Sequence, residues 1–354
     1  SCVSAPAGPG FHQAAAELIQ ALGEKEIKDM EWKDSTGYLE DPDFEALRRE
    51  TFEPWLAEQL NQALEELDRD PEGEVRLFWD EDQYWPEKVP GTVVTPVGRF
   101  SRQWLAQRLE QGALRELSER LFLWNGQGHD ARFHRNCALK RLWEDCYFAP
   151  SERSGEDAQL NGFILDELEK AAKMDPELPL PVETYRELCI LDERGFGLPE
   201  DIPELEEEFS PGYHRGEVTQ AFDTLRFPLP GVYRYEWNED GRGGGGCIWW
   251  DEESDSPLWR FSGYRSKNVK AEWNADLTGF SDVETREESG LSAHWGWKEL
   301  EQRTDPEKPL YQVLGEAVAG PTLFVFTVTF SLPEEREDIY ARIRRMETTA
   351  REEG

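Results

Sequence analysis

Residues 232–257 read VYRYEWNEDGRGGGGCIWWDEESDSP, and the fold class turns on what the central glycines do. Gly241, Gly243 and Gly246 fit the G-x-G-x-x-G spacing of a dinucleotide-binding turn. Such a turn needs a strand before the glycines and a helix after them, so that a pyrophosphate rests on the helix N-terminus. VYRYEW supplies the strand, but CIWWDEESDSP is β-like, then acidic, then broken by Pro257, with no room for a helix. A P-loop fails as well, because Cys247 stands where its lysine belongs. Glu239 and Asp240 on one side and Asp251, Glu252 and Glu253 on the other would repel phosphate. The stretch therefore reads as two antiparallel strands joined by a glycine loop, and no cofactor is expected.

Downstream, PLWRFSGY, VKAEW and TLFVFTVTFSL read as further strands separated by Gly, Asp and Ser turns. In the last of these, Phe324, Phe326, Val328, Phe330 and Leu332 alternate with Thr327, Thr329 and Ser331. That is a strand with one buried face, far short of the ~18 apolar residues a membrane span requires. Pro333 opens a final helix carried by Ile339, Tyr340, Ile343 and Met346. Just upstream, VETYRELCIL, DIPELEEEF and GEVTQAFDTL read as short helices.

The first half is helical. Phe11, Ala14, Ala15, Leu18, Ile19 and Leu22 recur at three and four residues before Gly23, and Trp55, Leu56, Leu60, Leu64 and Leu67 do the same. A short ribbon follows in EVRLFW and GTVVTPV. Ser101 and Asp130 sit at N-cap positions before RQWLAQRLEQGALRELSERLFLW and ARFHRNCALKRLWEDCYF, and a further helix spans about 157–173. Three prolines within residues 176–181 prevent helix there. The expected architecture is α+β: a mainly helical domain over 1–174, a Pro-rich linker over 175–182, and a mostly antiparallel, Trp-rich sheet domain with flanking helices over 183–354.

The chain of 354 residues carries 39 Lys and Arg against 74 Asp and Glu, a formal charge of −35. This field disfavours nucleic acid and anionic membranes and attracts a basic protein. Five cysteines without framework spacing argue against a disulfide scaffold and favour a cytoplasmic setting. A secreted or lipoprotein origin stays open, since Cys2 lies near the start.

Metal and nucleophile patterns fail on context. Asp68, Asp70, Glu72 and Gly73 begin like a calcium loop, but Trp79 occupies the closing glutamate position, and Asp70-Pro71-Glu72-Gly73 is an apt type I turn. DEESDS from Asp251 has Ser256 in place of the loop glycine. His129, His134, Cys137 and Cys146 match no common zinc spacing, so no metal is expected. GLSAH at Gly290 ends in His294 instead of the elbow's glycine. With His12, His129, His134, His214 and His294 as the only histidines, few triads are possible, no catalytic residue stands out, and the sequence leans away from an enzyme.

Half of the 14 tryptophans lie between residues 237 and 297: Trp237, Trp249, Trp250, Trp259, Trp273, Trp295 and Trp297. Adjacent residues of a strand face opposite ways, so Trp249 and Trp250 cannot share one core. GFGLPEDIPELEEEF from Gly195 resembles, over about fifteen residues, the LPxDxxxF helix start of the SMI1/KNR4 superfamily, many of whose members act as immunity proteins. The expected function is a non-catalytic acidic binding module, of inhibitor or immunity type, that engages a basic partner. Its contact residues are expected to be Glu239, Asp240, Asp251, Glu252, Glu253 and Asp255, with Trp249, Trp250 or Trp259 as anchors. The alternative is a carbohydrate-binding or carbohydrate-processing protein using the same tryptophans.

Overall fold

A computed structural model describes the chain at residues 4–25, 33–78, 84–205, 212–239, 245–251, 256–265, 271–288, 290–300 and 309–350. Two compact units result, one comprising Ser1–Asp80 and Lys88–His214, the other Glu81–Glu87 and Arg215–Gly354. The expected boundary at 175–182 is therefore displaced to residue 214, and the Pro-rich segment lies inside the first unit. Leu178 and Leu180 are buried there. The Leu180 N–H donates to Pro203 O at 3.0 Å, and the Leu205 N–H donates to Leu180 O at 2.8 Å. Proline forbids helix but leaves extended chain free to pair. Residues 201–205, expected to start a helix, form this parallel bridge instead, and the rest of DIPELEEEF lies outside the described residues.

In the first unit, α1 (Pro9–Lys25) is followed by α2 (Phe44–Ala46), a π-helical stretch over Leu47–Phe52, and α3 (Glu53–Arg69). The turn at 70–73 closes with Gly73 N–H donating to Asp70 O at 2.9 Å. The strands β1 (Glu74–Arg76), β3 (Thr92–Thr95) and β4 (Gly98–Ser101) form a small mixed sheet, while the intervening β2 (Tyr84–Pro86) belongs to the second unit. Ser101 Oγ accepts from Trp104 N–H at 3.2 Å and caps α4 (Arg102–Glu110). The single helix expected after Ser101 breaks at Gly112, whose φ of +69° is left-handed, and resumes as α5 (Leu114–Leu121). Asp130 caps α6 (Ala131–Glu144), accepting from Phe133 N–H at 2.8 Å, and Leu139, Leu142, Trp143 and Cys146 form its buried stripe. Two more helices, α7 (Gly155–Met174) and α8 (Val182–Leu191), complete the unit.

The second unit is built on β5 (Glu217–Phe222), β6 (Leu225–Pro230), β7 (Arg234–Glu239), β8 (Gly245–Trp250), β9 (Leu258–Arg265), β10 (Ser281–Glu288), β11 (Leu291–Leu300), β12 (Leu310–Ala319), β13 (Thr322–Phe330), α9 (Glu335–Arg344) and β14 (Glu347–Thr348). GEVTQAFDTL, expected as helix, is instead β5 and the turn after it, because Val218, Gln220 and Phe222 point inward in strict alternation. The order β14-β6-β5-β2 makes one sheet, and β10-β11-β12-β13-β9-β8-β7 makes a seven-stranded antiparallel sheet. Glu239 pairs with Gly245, so the glycine-rich stretch links the two strands of a hairpin, with no helix after it. One face of the large sheet packs Trp259, Phe261, Phe324, Phe326, Val328 and Phe330 against Phe222, Phe227 and Leu229 of the smaller sheet, with Ile339, Tyr340, Ile343 and Met346 joining them.

Gly315 is demanded by this packing. It sits opposite Phe326 across β12 and β13, and a Cβ there would lie 2.2 Å from the Phe326 ring. Gly315→Ala should cost about 1–3 kcal/mol by overpacking, read as a lower urea midpoint, whereas Gly245→Ala, which meets open space, should change it little. Cys137, Cys146, Cys189 and Cys247 are free thiols. Burial pushes Cys137 up to about 11 and Cys247 up to about 12. In a Cys2→Ser background at pH 8, a disulfide reagent should therefore label these two only after denaturant is added.

Candidate functional site

Alternation along β8 decides what the tryptophans can do. Cys247 and Trp249 face the core, so Ile248 and Trp250 face the other side of the sheet. Trp249 is 1% exposed, and its indole N–H donates to Gln220 Oε1 at 3.2 Å, which satisfies the one polar atom that burial would otherwise strand. Trp259 is equally buried and stacks in parallel with Phe227 and Phe261. Two of the three expected anchors are thus core residues, fixed by the packing of the two sheets, and Trp250 alone remains half-buried on the outer face. Trp237, at the sheet edge, is 43% exposed and stacks on Phe222.

The outer face divides into a covered part and an open part. On β12, Glu316 is 4% exposed and accepts from the N–H groups of Asn274 and Ala275 at 2.6 and 2.8 Å. Its Oε2 also lies 3.3 Å from His294 Nε2 on β11. The Trp273 ring lies flat on His294, with centroids 4.4 Å apart and planes 8° apart, and its N–H donates to Ser292 O. Residues 271–273 of VKAEW, expected as strand, are instead part of a loop clasped over the sheet, held by Trp273 on His294 and by the Glu316 carboxylate, which takes the N–H groups of the next two residues, Asn274 and Ala275. Beyond the clasp the outer face carries Leu323 and Val325 of β13, Leu258 of β9, and Ile248 and Trp250 of β8, all half-buried, with Arg260 and Tyr264 exposed among them.

The acidic residues expected around this face are less fully placed. Asp251 directly follows Trp250 and is half-buried. Asp240, Glu252, Glu253 and Asp255 lie outside the described residues, as does the side chain of Glu239, whose backbone ends β7. Among the described residues no three His, Cys, Asp or Glu side chains are grouped to hold a metal ion. His134 is held by Glu167 at 2.7 Å, His129 stacks on Phe133, and Cys146 is buried, so three of the four zinc-type residues of α6 and its flanks have separate packing roles, and Cys137 is a half-buried free thiol. Among the described residues no helix is long and apolar enough to cross a membrane.

No family model matches the chain, and no curated protein matches it. A crystal structure of a protein from Bacteroides thetaiotaomicron VPI-5482 aligns at TM-score 0.27 and 15% identity, over 37% of this chain and 46% of that one. The solution structure of cyanobacterial PsbP (CyanoP) from Synechocystis sp. PCC 6803 aligns at TM-score 0.29 and 10% identity, over 37% and 89%. The chain spans about half the length of the first, and both likenesses are partial.

The two neighbouring tryptophans should separate cleanly by stability. Trp249→Ala should lose about 3–5 kcal/mol of unfolding free energy, as large aromatic truncations in a core do, while Trp250→Ala should lose under about 1 kcal/mol, both read from urea denaturation. Glu316→Ala should abolish hydrogen-exchange protection of the Asn274 and Ala275 amides, which have that carboxylate as acceptor.

Proposed function

We propose that this protein is an acidic binding module of inhibitor or immunity type, which receives a basic protein on the open outer face of its seven-stranded sheet, a task that needs no catalysis at that face. The observation that carries the reading is Trp250, held half-buried on that face while its neighbour Trp249 is locked in the core. A rigid indole beside Ile248 and Leu258 has the makeup of an interface anchor, and the sheet beneath it is ordered before any partner arrives. Asp251 adjoins the anchor and Glu252, Glu253 and Asp255 follow it in sequence, so carboxylates on that side would rim the contact, whereas Glu239 and Asp240 belong to the far end of the hairpin, where Glu239 pairs with Gly245. The charge of −35 supplies the long-range attraction. Carbohydrate recognition through the same tryptophans would require several exposed rings in a row, and Trp249, Trp259 and Trp295 are interior, each 1% exposed.

The test is capture from the source lysate at low salt followed by a salt gradient. A basic protein should elute stoichiometrically, and its association rate should fall at least tenfold when Glu239, Asp240, Asp251, Glu252, Glu253 and Asp255 become Gln or Asn. Trp250→Ala should instead speed dissociation. Association kinetics unchanged by salt and by the six substitutions would refute the electrostatic reading.

A further inference from the structure

The first unit contains a cleft of about 810 Å³ whose lining includes Ser4, His12, Asp34 and Thr36. Its apolar wall comes from α1 through Ala15 and Ile19 and from the π-helical stretch and α3 through Phe52 and Trp55. Within it, Ser4 Oγ lies 2.8 Å from Nδ1 of His12, and Thr36 Oγ1 lies 3.1 Å from Nε2. The Thr36 hydroxyl reaches Asp34 Oδ1 at 2.8 Å and Oδ2 at 2.9 Å, and Thr36 Oγ1 accepts from Tyr38 N–H at 3.2 Å.

With His12 neutral, these contacts fix the direction of every proton. A carboxylate can only accept, so the single Thr36 hydroxyl hydrogen goes to Asp34. Thr36 Oγ1 must then accept from His12, which places the imidazole hydrogen on Nε2 and leaves Nδ1 as the bare nitrogen. Ser4 is consequently the donor in the contact with Nδ1. The relay runs from the Ser4 hydroxyl to His12, to Thr36, to Asp34, with Asp34 Oδ1 also 3.5 Å from Nε2. Burial would raise the Asp34 carboxyl, but the N–H and hydroxyl of Thr36 and the Leu39 N–H hold it below its ordinary value, and positive charge on His12, once the imidazole has taken the serine proton, lowers it further, so it stays ionised.

Ser4 is held by the fold at this point. Its carbonyl accepts from Ala7 and Gly8 N–H at 3.1 Å, Trp124 N–H donates to Ala7 O at 2.9 Å, and Gly10 N–H donates to Trp124 O at 3.0 Å. Gly8, at φ +109°, allows this approach: a Cβ there would lie 2.5 Å from Trp124 O. The segment is therefore clamped against residues 122–126, and Ser4 is delivered to His12.

We propose that this cleft is a second functional site, a serine-nucleophile esterase centre for carboxylic esters with a short apolar acyl group. Ser4 Oγ attacks the carbonyl carbon while its proton passes to His12 Nδ1. The bond to the leaving oxygen breaks, and the departing alkoxide takes that proton as the alcohol. Water then attacks the acyl-serine with His12 again as base, releasing the carboxylic acid and restoring Ser4. Ser4 and His12 are the catalytic residues, the acyl group lies on Ala15, Ile19, Phe52 and Trp55, and Thr36 and Asp34 are positioning residues that hold the tautomer.

The full chain should be treated with a fluorophosphonate probe, the adduct mapped by peptide mass spectrometry, and turnover followed with p-nitrophenyl butyrate. A single adduct on Ser4 is expected, absent in Ser4→Ala together with turnover, and formed roughly 10²–10⁴-fold more slowly in His12→Ala. Thr36→Val should lower kcat at least tenfold with KM unchanged, and Thr36→Ser should restore it. Circular dichroism of each variant separates lost chemistry from lost fold. No adduct on Ser4 in the folded protein, or a labelling rate indifferent to His12→Ala, would overturn the proposal.

Discussion

The second unit depends on one constraint, that successive side chains of a strand must point to opposite faces of the sheet. The large sheet can bury only every other residue, and it spends those positions on aromatic rings. Phe227 lies against Phe261 with centroids 4.3 Å apart, Phe261 against Phe326 at 5.6 Å, and Trp249 meets Phe227 edge-on at 5.1 Å. Such rings fit only with their neighbours in register. A one-residue slip of β8 would withdraw Cys247 and Trp249 from this stack, break the Trp249–Gln220 bond and drive Trp250 inward. Core packing on one face thereby determines what is presented on the other, and the exposed character of Trp250 is a consequence of the burial of Trp249.

How much of this was legible in the sequence depended on whether the deciding contact was local. The alternation in β13, the stripe of α6, the caps at Ser101 and Asp130 and the β7–β8 hairpin are written within a few residues, and all were readable. The strand β5 was not, because its inward positions include Gln220, whose role is to accept a hydrogen bond from an indole on another strand. Without that partner in view, Val218 and Phe222 stand four apart and suit a helix equally well. VKAEW reads as a strand until Glu316, more than forty residues later, claims two of the backbone N–H groups that follow it. The prolines of 175–182 correctly excluded helix, yet extended chain can serve as a linker or as packed interior, and Leu180 pairing with residues 203–205 decides for the latter.

The candidate sites divide along the same line. The sequence required Trp249 and Trp250 to part company but gave no means of telling which one faced out. The Ser4–His12–Thr36–Asp34 relay carried no signal at all, since its members follow no motif spacing and meet only because glycines at 8 and 10 let the N-terminal segment lie on Trp124. Asp34 shows why the relay is coherent once assembled. The same carboxylate that accepts the Thr36 hydroxyl also accepts the Thr36 and Leu39 N–H groups, so the loop that supplies the acid is folded around it.

The net charge acquires a position through this geometry. With 74 acidic and 39 basic residues, 35 carboxylates have no basic residue to offset them one for one. Many of the described ion pairs join near neighbours on exposed surface, as in Arg115–Glu119 and Arg141–Asp145, and contribute little to stability. The excess therefore acts as a field. At physiological ionic strength the field of an exposed charge is screened within about 8 Å, so for the proposed basic partner distant carboxylates would govern approach but would not choose where it docks. That choice falls to charges close to the contact itself. Asp251 directly follows Trp250, and the four further residues to Asp255 reach at most about 14 Å. For the proposed basic partner seated on the Trp250 ring, Asp251, Glu252 and Glu253 would lie within about 11 Å along the chain, close to the range in which they are felt, while Arg260 on the same face would be the cation to avoid or pair.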